Sequence, residues 1–231
     1  MGGTFVKVEK RIIPSPMLDF PTRRQEYERR VRLVEQDVLR MGALVENSFW
    51  LAHTALFDRN LESAQQIPIQ DKQIDRYYRQ IEQDCLHLIA LGSSDQNNLR
   101  LLSAIMHLVR DLERIGDYAK NLGEISIKLL PYGVPMFMGS ILQMSQRCRS
   151  MLSMSLEALA NLDGEKALQV KLKDDAVDDD YDRLFQLLVR QEEQRGEALL
   201  LLVLVIHHLE RMADHATNIG QRVAYIVTGN R

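Results

Sequence analysis

Four pairs of acids share one spacing in this sequence: Asp71 and Asp75, Glu113 and Asp117, Asp174 and Asp178, and Glu210 and Asp214. On a helix, acid-x-x-x-acid puts both carboxylates on one face a turn apart, where like charges repel by roughly 0.2–0.5 kcal/mol per pair. A single such pair is ordinary, because most charged side chains lie on solvated helix faces. Four pairs in repeated positions carry the same repulsion each time, which calls for a compensating cation. Neighbouring Arg114 and Arg211 supply part of it. Metal ions are the expected remainder. Carboxylates joined by the amide oxygens of Asn121 and Asn218 make an all-oxygen donor set suited to Mg²⁺, Mn²⁺, Ca²⁺ or iron, with identity and number left open. Several carboxylates on each side leave room for more than one ion per half.

The elements that must position these acids are helices. Val31, Val34, Val38, Met41 and Val45 recur at alternating steps of three and four, the seam of a first helix from about Arg24 to Phe57. Pro68 argues against an uninterrupted helix, so Leu61 to Gln66 reads as a short helical turn and the next long helix starts near Ile69. Its seam is Ile74, Tyr78, Ile81, Cys85 and Leu88. Gly92 to Asp95 form a turn with capping residues. After it, Ile105, Leu108, Leu112, Ile115, Ala119 and Leu122 mark a third helix. On a wheel, Glu113, Asp117 and Glu124 lie well over 90° from that stripe at ~100° per residue, which places this acid line outside the bundle. Asp71 and Asp75 sit closer to their own seam, so the second helix is expected to turn its acids toward the same groove.

The order then repeats. LERIGDYAKNLG at 112–123 returns as LERMADHATNIG at 209–220, aligning Glu113 with Glu210, Asp117 with Asp214 and Asn121 with Asn218. Asp71, Ile74, Asp75 and Tyr78 align in turn with Asp174, Val177, Asp178 and Tyr181. PYGVPMFMG, with two prolines and two glycines, separates the units. The expected architecture is all-α: an N-terminal arm at 1–23, a three-helix repeat at 24–131 and a second at 136–231. The later helices are expected from about Ser140 to Asn161, through Asp178 and Leu187, and from about Glu197. Glu124 extends the first acid line, whereas Gln221 stands at its counterpart, so unequal halves are expected, with the second holding ions more weakly.

Composition removes several function classes. With 29 basic and 32 acidic residues the net charge is −3, so no cationic field gathers nucleic acid. Cys85 and Cys148 fit no C-x-x-C spacing and read as buried hydrophobes in a reducing compartment. No N-terminal signal-type segment occurs, and Gly2 lacks the acceptor context for myristoylation because Val6 stands where Ser or Thr is needed. The longest apolar run, Ala198 to Ile206, falls far short of the ~20 residues of a membrane span. Cytoplasmic residence is the expectation. His207, His208 and His215 flank the last acid pair but are better read as packing or surface residues than as ligands. Trp50 reads as a core or edge aromatic, and Met136 and Met138 beside Phe137 as adaptable packing.

The paired segments LERIGDYAKN and LERMADHATN in an all-helical chain of this length resemble the signature of the PhoU family, and the likeness covers all but residues 1–23. It implies two three-helix bundles that bind multinuclear metal clusters through E(D)-x-x-x-D motifs and act as a regulator rather than an enzyme. Carried over by position, the metal-binding residues are Glu113, Asp117, Glu210 and Asp214, supported by Asp71, Asp75, Asp174 and Asp178. The partners implied are the ATPase subunit of a phosphate ABC transporter and a phosphate sensor histidine kinase. The function implied is negative regulation of phosphate uptake and of the phosphate-starvation response, with membrane association only through those partners. Oligomeric state stays open, a homodimer included. Two rivals remain. A ferritin-like di-iron carboxylate enzyme needs Glu-x-x-His motifs, and none occurs. A metal-free helical adaptor would use the same acids to dock a basic partner. No nucleophile–base constellation or Gly-rich phosphate loop supports a hydrolase or kinase.

Overall fold

The computed structural model describes residues 20–92, 95–190 and 196–230, with side chains from Arg24 onward. They form six long helices: α1 Phe20–Phe57, α2 Leu61–Ala90, α3 Gln96–Leu129, α4 Met138–Asn161, α5 Gly164–Val189 and α6 Glu197–Thr228. No strand occurs among the described residues. The arm's expected Pro14 and Pro16, the myristoylation reading of Gly2, and Ser93 and Ser94 of the expected turn lie outside them. Helix α1 begins at Phe20 rather than at about Arg24, with Pro21 in its first turn, where a missing N–H costs no intrahelical bond.

Capping residues set the boundaries. Asn60 accepts from the Ser63 N–H, Asp95 from the Asn97 N–H and Asp163 from the Lys166 N–H, starting α2, α3 and α5. Beyond α1, Arg59 has φ 54°, and its guanidinium donates to the carbonyls of Leu130 and Tyr132 in the linker after α3.

The expected break at Pro68 is absent: α2 runs through it as one helix. Proline there removes one intrahelical bond, that to the Ala64 carbonyl. Burial on both sides outweighs the loss, since Ala64, Ile67, Asp71 and Ile74 form one continuous buried stripe against the rest of the bundle.

Helices α1, α2 and α3 pack mutually, as do α4, α5 and α6. The expected seam residues of α1 and α3 are buried, and in α2 all are buried but Tyr78, which packs against the core at its edge. The halves join chiefly where α3 meets α6, and more sparsely where α1 meets α4. Trp50 lies at the edge, 46% exposed, and Met136 stands 75% exposed on the linker, while Phe137 and Met138 pack against the core. Both cysteines are free and buried; burial pushes the Cys85 thiol up to about 12 and the Cys148 thiol higher, which leaves both unreactive.

Candidate metal-binding grooves

Each half presents its acids along the groove between its second and third helices. The room for this comes from a glycine near the C-terminal end of α3 and another near that of α6. A Cβ at Gly220 would stand 2.7 Å from the Ala167 carbonyl oxygen of α5, and one at Gly123 would stand 2.6 Å from Ile67 Cδ1 of α2. These close approaches bring α2 against α3 and α5 against α6.

The inner acids of the grooves are buried, Asp71 at 8% exposure and Asp174 at 3%. Glu113, Asp117, Glu210 and Asp214 are half-buried in the grooves, not projected from the outside of the bundle as the wheel placed them. Helices α3 and α6 each touch three neighbours, so the arc left to solvent is narrower than a single stripe suggests. Asp75 is half-buried and Asp178 exposed at the groove mouths.

Proton affinities report which acids face one another. The Glu113 carboxyl is raised above its ordinary value, first by burial, then by Asp117 on its own helix and Asp75 across the groove, against Arg114 and Arg110. Asp117 is raised by burial, with Arg114 opposing and Asp71 and Asp75 adding. Glu210 is raised by burial, then Asp214, with Asp178 and Asp174 adding from α5. Asp178 is raised by burial, then by Asp174 and, across the groove, Asp214. The α2 acids thus face the α3 acids, and the α5 acids face those of α6.

Basic side chains already lean on these groups. Lys120 donates from α3 across the groove to Asp71 Oδ2 at 2.7 Å. Lys171 donates along α5 to Asp174 Oδ2 at 2.8 Å. Arg114 lies 3.1 Å from Asp117 and 3.5 Å from Glu113, Arg211 lies 2.6 Å from Asp214, and Arg79 lies 3.7 Å from Asp75. Among the described residues, no three His, Cys, Asp or Glu side chains converge on one point in the manner of a formed ion site. In the second groove two buried oxygens have no hydrogen-bond partner, Asp174 Oδ1 and Thr217 Oγ1.

Other expected donors point elsewhere. Asn218 Nδ2 reaches Asp111 Oδ1 of α3 at 3.4 Å, and His215 Nδ1 pairs with the same oxygen at 2.8 Å. Half-buried Asn121 sits on α3. His207 Nδ1 lies 3.9 Å from Glu210 Oε2, while His208 is half-buried against Tyr118, its Nδ1 unpartnered. The repeat explains this seam: Asp111 aligns with His208 and Tyr118 with His215, so Asp111–His215 and His208–Tyr118 are equivalent contacts across the α3–α6 crossing. Sequence reasoning missed Asp111, Lys120, Lys171 and Thr217. The signal in the sequence was the Lys120/Thr217 difference, where a charge is lost between the two repeated segments.

The sequence profile of the PhoU domain matches residues 38–126 and again 141–223. The chain belongs to the PhoU family. Its repeats are the two PhoU domains, each match spanning that half's acid pairs. The chain is 54% identical to the phosphate-specific transport system accessory protein PhoU homolog of Synechocystis sp., over 90% of this chain and 94% of that one. It is 33% identical to the homolog of the same name from Pseudomonas putida, over 89% and 82%. The crystal structure of PhoU from Pseudomonas aeruginosa superposes with a TM-score of 0.85 at 32% identity, covering 88% of this chain and 100% of that one. The phosphate transport system regulatory protein PhoU from Streptococcus pneumoniae gives 0.80 at 28% identity, covering 88% and 98%. For the metal ions that PhoU resemblance implies, the donor chemistry fits in the second groove, where a buried carboxylate oxygen and a hydroxyl stand unsatisfied beside further carboxylates.

Proposed function

We propose that this PhoU-family chain is an accessory regulator of phosphate-specific transport that represses the phosphate-starvation response, and that its grooves bind divalent or trivalent cations. The observation that carries the metal part is the facing of α2 on α3 acids and of α5 on α6 acids, each set holding raised carboxyls that a cation would relieve. Iron, manganese and magnesium are the candidates, since every donor is oxygen. Asp71, Asp75, Glu113 and Asp117 would serve the first groove, and Asp174, Asp178, Glu210 and Asp214 the second.

The transport part rests on the names of the relatives, which are accessory or regulatory proteins of phosphate transport. The ATPase subunit of the transporter and a sensor histidine kinase are the proposed partners, met at the cytoplasmic side of the membrane. Among the described residues no helix is long and apolar enough to cross one. Elemental analysis of protein purified without chelator, followed by calorimetric titration with Mn²⁺, Mg²⁺ and anaerobic Fe²⁺, tests the metal part: bound metal is expected, and no uptake of any of them sinks it. Co-purification of both partners from phosphate-replete cells, with phosphatase expression rising in a deletion strain, tests the regulatory part. Recovery of neither partner with unchanged expression counts against it.

One observation favours a second reading. Asp71, Asp117, Asp174 and Asp214 each already have a lysine or arginine partner, as a metal-free adaptor would arrange before docking a basic surface. The same elemental analysis separates the two.

A further inference from the structure

We infer that the halves hold their cations differently: in the first, the Lys120 ammonium is a built-in counter-cation that competes with metal for the inner acid, and the second, with Thr217 in its place, is the half that takes a free metal ion more tightly. This rests on the metal reading above and deepens it.

The repeat supplies the comparison. Lys120 and Thr217 occupy the same position in the two matching segments of α3 and α6, three residues after Asp117 and Asp214. From α3, Lys120 crosses to α2 and donates to buried Asp71 at 2.7 Å. Asp117 and Glu124 stand three and four residues from Lys120 on α3, so one ammonium serves acids of both helices. Thr217 has no charge to offer. It is 4% exposed, and its hydroxyl oxygen is buried without a partner. Asp174, the counterpart of Asp71, is 3% exposed and keeps Oδ1 buried and unpartnered.

Lys171 does not replace Lys120. It lies three residues before Asp174 on the same helix, its side chain is 53% exposed, and it bonds only Oδ2. The acid it bonds, Asp174, and the neighbouring Asp175 and Asp178 lie on its own helix, α5. Its counterpart in the first half is Pro68, so each inner acid is met by one lysine at a different position, and it is Lys120 that bridges its groove. Orphaned buried oxygens of this kind cost free energy until a donor or cation meets them. Asp174, Thr217 and the α6 acids would be the residues to hold an oxygen-seeking ion, which would satisfy such oxygens. This ranks the second groove above the first, the reverse of what Gln221 suggested, because Gln221 is exposed and Lys120 acts at the buried end.

The test uses the full chain and Mn²⁺, read by calorimetric stoichiometry and by the Mn²⁺-dependent rise in unfolding temperature. Asp174→Asn is expected to weaken Mn²⁺ binding roughly tenfold or more, and Asp71→Asn to weaken it several-fold less. Lys120→Thr copies the second groove into the first. It is expected to lower stability without metal, to gain Mn²⁺ binding, and to recover stability when Mn²⁺ is added. The reverse copy, Thr217→Lys, is expected to fold and to lose Mn²⁺ binding. If Asp71→Asn and Asp174→Asn lose Mn²⁺ equally and Lys120→Thr gains none, the inference is overturned while the metal reading stands. If neither wild type nor Lys120→Thr binds Mn²⁺, the inference is overturned, and the metal reading falls with it when Mg²⁺ and anaerobic Fe²⁺ are not taken up either.

Discussion

Burial beside His207 holds the His208 imidazole down at about 4, from an ordinary 6.5, so the fold keeps it neutral against Tyr118. The unfolded chain takes up that proton more readily, so His208 makes stability fall as pH drops from 6.5 toward 4. The groove acids act in the opposite sense. Glu113, Asp117, Asp178 and Glu210 are raised, so the folded state holds their protons more readily, and their destabilising charge fades as pH falls. His208→Phe, which keeps a ring against Tyr118, isolates the first effect: its unfolding temperature should fall less than that of wild type across the window. Glu210→Gln isolates the second. In chelator-treated protein it should raise stability by about 0.2–0.5 kcal/mol in urea titrations, because it removes a half-buried charge beside Asp214. A loss of stability there would mean that Glu210 is satisfied without metal.

The two glycines decide how closely the acid-bearing helices approach. At Gly220 an added Cβ meets a backbone carbonyl, that of Ala167, which cannot swing away. Gly220→Ala should therefore lower stability by about 1–3 kcal/mol, and should weaken metal binding as the α5–α6 groove widens. At Gly123 the obstacle is the end of the Ile67 side chain, which turns aside more cheaply. The helix gains about 1 kcal/mol when glycine becomes alanine, so Gly123→Ala should come out near neutral. Equal losses at both positions, measured by denaturant unfolding, would contradict this account of how the helices are spaced. Pro68 belongs to the same scale: its single missing bond faces the Gly123 approach, and burial along α2 carries the helix across it.

The two halves meet across α3 and α6 through a polar seam as well as an apolar one. Asp111 and His215 form a pair whose side chains are 15% and 13% exposed, and Arg211 receives support from Tyr118 of the other half. Since Arg211 also bonds Asp214, the seam reaches the second groove. Asp111→Ala removes the partner of a largely buried ring and should cost about 1–3 kcal/mol. It should also broaden thermal unfolding, because the halves lose part of the contact that makes them unfold together. A sharp transition with an unchanged midpoint would show that apolar packing alone couples the halves.

The sequence by itself determined the number and order of the helices, the repeat and the family. Those follow from local properties: the three-and-four spacing of Val31 to Val45 or Ile105 to Leu122, the caps at Asp95 and Asp163, and the matching segments at Glu113 and Glu210. It also marked which acids could serve a site, since four-residue spacing fixes a common face. It misplaced the break at Pro68 because one lost bond is a local cost, whereas the burial that offsets it comes from helices elsewhere in the chain. It set the acids too far outside because a wheel shows one helix, and exposure depends on how many neighbours that helix touches. Only the tertiary structure decided which basic group meets which acid. Lys120 and Asp71 are 49 positions apart and Asp111 and His215 are 104, so no spacing rule connects them, and the two helices of each groove had to pack before the lysine, the threonine and the orphaned carboxylate oxygen acquired their roles.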